Sequence, residues 1–190
     1  ALLLTLIIVA TSGMPLYAKE TGDKANSFRY ENGQSIAKAV PFSTLSPNAW
    51  KKIDGKYYSG DGSVIEGAVA KGIDVSHHQG TVDWKKAKED GVEFAIIRCG
   101  FGMNQTKQDD AQWFNNVKGC EENNIPYGVY LYSYADTVKK AQSEAEHVLR
   151  LIKGHTLAYP VYYDIEEKAV LNKLTAEQLG KIAATFVNKV

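Results

Sequence analysis

From Gly72 onward the chain changes period four times, each time passing from a short apolar run to an amphipathic one. "GIDVS" is a short apolar strand. "VDWKKAKEDG" follows, with Val82, Trp84 and Ala87 apolar among lysines and acids, and Gly91 stops it. "FAIIRCG" is a continuous apolar run, as expected of a strand buried on both faces. "DDAQWFNNVKGCEENN" returns to helical spacing, and "YGVYLYSYA" reads as strand again. "TVKKAQSEAEHVLRLIKG" is a helix with Ala141, Ala145, Val148, Leu149 and Ile152 on one side. "YPVYYDI" is the fourth strand. "LTAEQLGKIAATFVNKV" is the fourth helix, with Thr175 as its N-cap and Glu177 and Gln178 in its first turn.

Four strand–helix units with short connections predict parallel strands joined by right-handed crossovers. Such a sheet either stays open and doubly wound or closes into a barrel. "DVSHHQG" follows the first strand where a nucleotide-binding sheet would carry a glycine-rich phosphate loop. The expected fold class is therefore α/β, a modified (β/α) barrel of TIM type. Barrels run to about 250 residues. The stretch 68–190, read as the catalytic domain, holds about four of the eight units and stops inside a helix, so further units are expected beyond Val190.

The residues ahead of this domain read differently. Ala1 to Ala10 is an apolar run, too short to span a bilayer comfortably, followed by Thr11, Ser12, Gly13 and Pro15, then Ala18 before Lys19. We read 1–18 as a secretory signal lacking its basic n-region, with cleavage after Ala18. Export follows, with no membrane attachment once the signal is removed. Residues 19–67 read as a linker and a β-hairpin. Residues 19 to about 48 are polar and lack clear period. In "WKKIDGKYYSGDGSVIEG", two aromatic and β-branched runs flank "SGDGS", a hairpin signal. The same stretch looks like one copy of the aromatic, glycine-rich repeats that bind cell-wall polymers, although such repeats build sites only between neighbours.

Charge excludes one class of partner. The 22 basic and 22 acidic side chains balance, and no basic stripe exists to neutralise phosphates, so nucleic acid is not expected. Cys99 and Cys120 end a strand and the helix after it, at opposite ends of one layer, beyond reach of a bridge. Two unpaired, mostly buried thiols are expected.

In parallel α/β folds catalytic groups collect at the C-terminal strand ends. Asp74 and Ser76 end the first strand here, Arg98 lies near the end of the second, Tyr130, Tyr132 and Tyr134 alternate along the third, and Asp164 and Glu166 end the fourth. Side-chain alternation places Tyr162, Asp164 and Glu166 on one face, with Cα atoms two apart separated by about 6.5 to 7 Å. Glu167 falls on the other face, as a solvated or helix-start charge. Two carboxylates crowded among tyrosines cannot both ionise freely, so one is expected to keep a proton near neutrality. A protonated acid beside an ionised partner is what glycosidic bond cleavage uses. A strand-end metal pair is the weaker reading: His77 and His78 are adjacent and diverge, and no His or Cys cluster stands nearby. One of these histidines lines the cleft or neither does. Arg98 either faces the cleft or forms a buried ion pair with Asp74. The tyrosine row serves either packing or sugar stacking.

"KGIDVSHHQGTVDWKKAKEDGVEFAIIRCGFG", "DAQWFNNVKGCEENNIPYGVYLYSYA", "AQSEAEHVL" and "YPVYYDIEE" together resemble glycoside hydrolase family 25, the Chalaropsis-type lysozymes (N,O-diacetylmuramidases), from about Lys71 to Val190. The resemblance implies a modified barrel and cleavage of the β-1,4 bond from N-acetylmuramic acid to N-acetylglucosamine in peptidoglycan. It implies no cofactor, no metal, and peptidoglycan glycan strands as the partner of a monomer. It makes Glu166 the general acid, Asp164 the stabilising carboxylate, Asp74 a further cleft acid and Tyr132 a substrate-contacting aromatic. With Tyr130, Tyr134, Tyr162 and Arg98 these form the candidate site. The competing readings are a non-catalytic wall-binding protein on the same barrel, and a chitinase, whose D-x-x-D-x-D-x-E run is missing between Ala158 and Glu166.

Overall fold

The computed structural model describes residues 50–190 and, ahead of them, three two-residue strands, β1 (Asn26–Ser27), β2 (Tyr30–Glu31) and β3 (Gln34–Ser35), paired antiparallel in sequence order. The export signal, its cleavage after Ala18 and most of the polar arm lie outside the described residues. Where the arm is described it contains this small ladder, which its lack of period did not foretell. The chain divides into two compact units, 1–70 and 71–190.

In the first unit β4 (Lys51–Ile53) pairs antiparallel with β5 (Lys56–Tyr58). The hairpin turn is Asp54–Gly55, both at positive φ (49° and 78°), as a two-residue hairpin of this hand requires. The sequence reading placed that turn at "SGDGS". That segment instead makes a second reversal after β5, which brings Val64 back beside Tyr58. Asp61 organises it, its Oδ1 accepting from the Ser63 amide at 2.9 Å, from the Ser63 hydroxyl at 2.7 Å and from the Ser59 hydroxyl.

The second unit is a four-stranded parallel sheet in the order β6 (Gly72–Val75), β7 (Phe94–Phe101), β8 (Tyr127–Tyr132), β9 (Val161–Asp164). The crossovers carry α1 (Trp84–Glu89), α2 (Trp113–Glu122) and α3 (Val138–Ile152). After β9 come a single turn, α4 (Lys168–Leu171), which the periodicity did not show, and α5 (Ala176–Val187). Caps fix the helix starts: Asp83 accepts from the Lys86 amide, Thr137 from Lys140, and Thr175 forms a reciprocal capping box with Gln178.

Alternation splits the sheet into two chemistries. One face sends Val75, Ala95, Ile97, Cys99, Tyr127, Val129 and Leu131 into a layer with Trp84, Trp113, Val117, Cys120, Val148 and Phe186. Each fully buried Val, Leu or Ile there contributes on the order of 1.5–3 kcal/mol. Both cysteines are free and buried. The unbroken burial from Ala95 to Gly100 matches the strand expected to be covered on both faces. The other face carries Asp74, Arg98, Tyr130, Tyr132, Tyr162 and Asp164 in register: Arg98 beside Tyr130, Tyr130 beside Tyr162, and Tyr132 beside Asp164.

One helix face differs from its prediction. Ala141, Ala145 and Val148 are buried in α3 as expected, but Leu149 is 37% exposed and Leu151 is buried in its place. The inward arc is rotated toward Glu144 and His147, both wholly buried. Their polar side chains are bonded to the loops at the top of the sheet, and this outweighs the placement of one more leucine.

Candidate active site

Asp74, the third residue of β6, lies at the C-terminal edge of the sheet. Burial pushes its carboxyl up to about 6, against a hydrogen bond from Tyr130 and the Arg98 cation. Asp164 is the last residue of β9 and its carbonyl accepts from the Ser133 amide at 2.8 Å. Burial pushes its carboxyl up to about 7, reinforced by Glu166 and Asp74 and opposed by Arg98. Glu166 is exposed, two residues beyond the strand, so the alternation argument does not reach it. Its charge acts on both Asp74 and Asp164, so the three carboxyls share one electrostatic neighbourhood through the loop rather than along one strand. The groups that burial, with a smaller push from neighbouring carboxylates, leaves protonated toward neutrality are Asp164 and Asp74.

Arg98 does not pair with Asp74. Its Nε donates to Asp110 Oδ2 at 2.8 Å and its guanidinium also meets His77 Nδ1. Asp110 is wholly buried, just ahead of α2, and accepts further from the His77 amide at 3.0 Å and the Gln112 amide at 2.9 Å. Burial would push its carboxyl up, but the bonds from His77 and Gln112 and the Arg98 cation hold it below the usual carboxylate range. The Arg98 charge still reaches both Asp74 and Asp164. His77 sits in one 3₁₀ turn, His77–Gln79, closed by a Ser76–Gln79 capping box, and its ring lies 4.1 Å from that of His78. Asp110 was missed in the sequence. A carboxylate ahead of a helix looks like an ordinary first-turn charge, and only the fold shows it under Arg98.

The tyrosines separate by role. Tyr130 stands close enough to Asp74 to hold its carboxyl down against burial. Tyr132 is 9% exposed, and its hydroxyl donates to Glu167 Oε2 at 3.2 Å. Tyr134 lies beyond the end of β8, so it does not continue the strand's alternation; its ring packs 5.2 Å from Tyr132 and edge-on to Phe101. Tyr162 is 41% exposed on the polar face. Glu167 caps α4 through the Ala169 amide, the helix-start role expected of it. It is not confined to the outer face, because the inner-face Tyr132 reaches it. Among the described residues no group of three or more His, Cys, Asp or Glu is arranged to hold a metal ion, and no helix is long and apolar enough to cross a membrane.

Parallel strands, an apolar layer on one face and clustered acids with aromatics at the C-terminal edge of the other place the second unit among α/β proteins built to act on a ligand at that edge. The chain belongs to the glycosyl hydrolases family 25, whose model matches residues 73–190. The autolytic lysozyme of Clostridium acetobutylicum is 33% identical over 96 residues, covering 50% of this chain and 28% of the relative. The modular autolysin LytC of Streptococcus pneumoniae, solved in complex with a synthetic peptidoglycan ligand, superposes with a TM-score of 0.61 at 31% identity, over 74% of this chain and 34% of that one. A bacterial lysozyme from Streptomyces coelicolor shares the fold with a TM-score of 0.56 at 22% identity, over 65% and 58% of the two chains. The chain thus spans about a third or less of the first two proteins.

Proposed function

We propose that the protein is a secreted, cell-wall-associated lysozyme that hydrolyses the β-1,4 bond from N-acetylmuramic acid to N-acetylglucosamine in peptidoglycan. The observation that carries this is the cluster of Asp74, Asp164 and Glu166 at the C-terminal edge of the sheet, two of them buried enough to hold protons toward neutrality. The family and the peptidoglycan complex of LytC support the substrate class. The four parallel strands are read as one wall of a modified (β/α) barrel of TIM type. All-parallel neighbours, with the apolar layer on one face and polar groups on the other, support that closure.

In this reading Glu166, the exposed acid at the mouth, donates its proton to the glycosidic oxygen as the bond to the anomeric carbon breaks. The carbonyl oxygen of the substrate's 2-acetamido group attacks that carbon, and Asp164, in the fraction of molecules where it is ionised near pH 7, steadies the positive charge that forms. Water then opens the ring intermediate and returns a proton to Glu166. Substrate assistance of this kind is a known variant of retaining hydrolysis, and direct attack by Asp164 is its rival. Tyr132, Tyr134 and Tyr162 offer faces for sugar stacking.

Glu166→Gln is expected to abolish nearly all clearing of a purified wall suspension while leaving the far-ultraviolet circular dichroism unchanged. Near-normal clearing would remove the acid assignment. Sedimentation of wild-type protein with uncleared walls would mark a wall-binding protein instead. Muramic acid at the new reducing ends is the expected product.

A further inference from the structure

Glu144 takes no part in the chemistry above, yet three donors meet its carboxylate. It is wholly buried on α3, and the hydrogen bonds its carboxylate accepts come from the site edge of the sheet. Its Oε2 accepts from the Ser133 hydroxyl at 2.8 Å and the Tyr163 hydroxyl at 2.5 Å. Its Oε1 accepts from the Tyr134 amide at 2.9 Å. Ser133 and Tyr134 directly follow Tyr132 at the end of β8, and Tyr163 directly precedes Asp164 at the end of β9. A backbone bond from the Ser133 amide to the Asp164 carbonyl closes the loop between the two.

Resting on the reading that Asp164 acts on the substrate, we propose that Glu144 is a positioning residue that fixes the Asp164 carboxyl against Tyr132 and Tyr134. Three donors converge on one carboxylate from both strand ends, so their relative height and twist are set by one rigid group. Stability alone does not call for it. Burial pushes the Glu144 carboxyl up, against the bonds from Tyr163, Ser133 and Tyr134, and an apolar side chain of similar volume commonly serves a core equally well. What an apolar residue cannot do is hold two strand ends in one register, and displacements of about 1 Å in an active site cost about a hundredfold in rate. Tyr163 lends itself to a separate test, because its ring is stacked at 3.8 Å on Phe186 and stays anchored without its hydroxyl.

The experiment compares Tyr163→Phe, Glu144→Gln, Glu144→Leu and Asp164→Asn, with kcat and KM measured on soluble glycan strands and Tm recorded for each. Tyr163→Phe is expected to lower kcat about tenfold with KM within about twofold and Tm nearly unchanged; Glu144→Leu is expected to lower kcat further, with Glu144→Gln partly restoring it. Wild-type kcat in both Tyr163→Phe and Glu144→Gln would overturn the positioning role, as would losses that follow Tm alone. An inactive Asp164→Asn beside wild-type kcat in both Tyr163→Phe and Glu144→Gln would sink this inference and leave the hydrolase reading standing. A fully active Asp164→Asn would sink the reading of the site, and the positioning role with it.

Discussion

At the residue scale the acid cluster is set first by burial, to which an imbalance of charge adds. Three carboxyls meet one nearby cation, and that cation is already bonded to Asp110. Removing it should therefore push Asp74 and Asp164 higher still. Arg98→Met is expected to move the carboxyl titrations of both, followed by carbon NMR, to higher pH, and to carry the pH–rate profile in the same direction. The variant should also lose about 3 kcal/mol of stability in denaturant, because the buried Asp110 keeps its amide donors but loses its counter-charge. Asp74, Asp164, Tyr130, Tyr132 and Tyr162 were legible as neighbours on one face because they lie on runs whose period was clear, whereas Glu166 and Tyr134 lie beyond the strands that the period describes. Asp110 and Glu144 were not legible. Each looks like a solvated charge of a helix or its approach, and its burial is decided by strands more than ten residues away in sequence.

At the scale of elements the four strands and four main helices followed from apolar period and from breakers such as Gly91. Failures came where local rules compete. Leu149 obeys helical spacing but loses its place to polar side chains tied to loops. Asp54–Gly55 and "SGDGS" are both turn signals, and both turn. The α1–α2 contact is tighter than propensity suggests: a Cβ on Gly119 would stand 2.0 Å from Trp84 Cδ1. Gly119→Ala is expected to cost about 1–3 kcal/mol through overpacking, despite alanine's better helix propensity. Thr175→Ala should cost about 1 kcal/mol by opening the capping box of α5. Urea midpoints measure both.

For the whole molecule, the site acids set how stability varies with pH. Asp74 and Asp164 titrate near 6 and 7 in the folded protein, above the roughly 3.9 of an unfolded aspartate. Between about pH 4 and 7 the folded state therefore holds protons that the unfolded chain has released, and these two groups make it more stable as pH falls through that window. Asp109, Asp110 and Glu121 are held below their ordinary values and work in the opposite sense only at lower pH. Asp164→Asn should raise Tm at pH 7, with the gain fading by about pH 4, the mark of a site kept at the expense of the fold. Scanning calorimetry across that range tests it.

The two thiols give the apolar layer a further property. Cys99 belongs to the sheet and Cys120 to the helix lying over it, and burial pushes the first up to about 12 and the second further. Alkylating and disulfide-exchange reagents attack thiolate, so neither sulfur reacts while the layer is closed. Labelling proceeds only during excursions that bare the sulfur to water, which makes each cysteine a native clock for the breathing of its own layer.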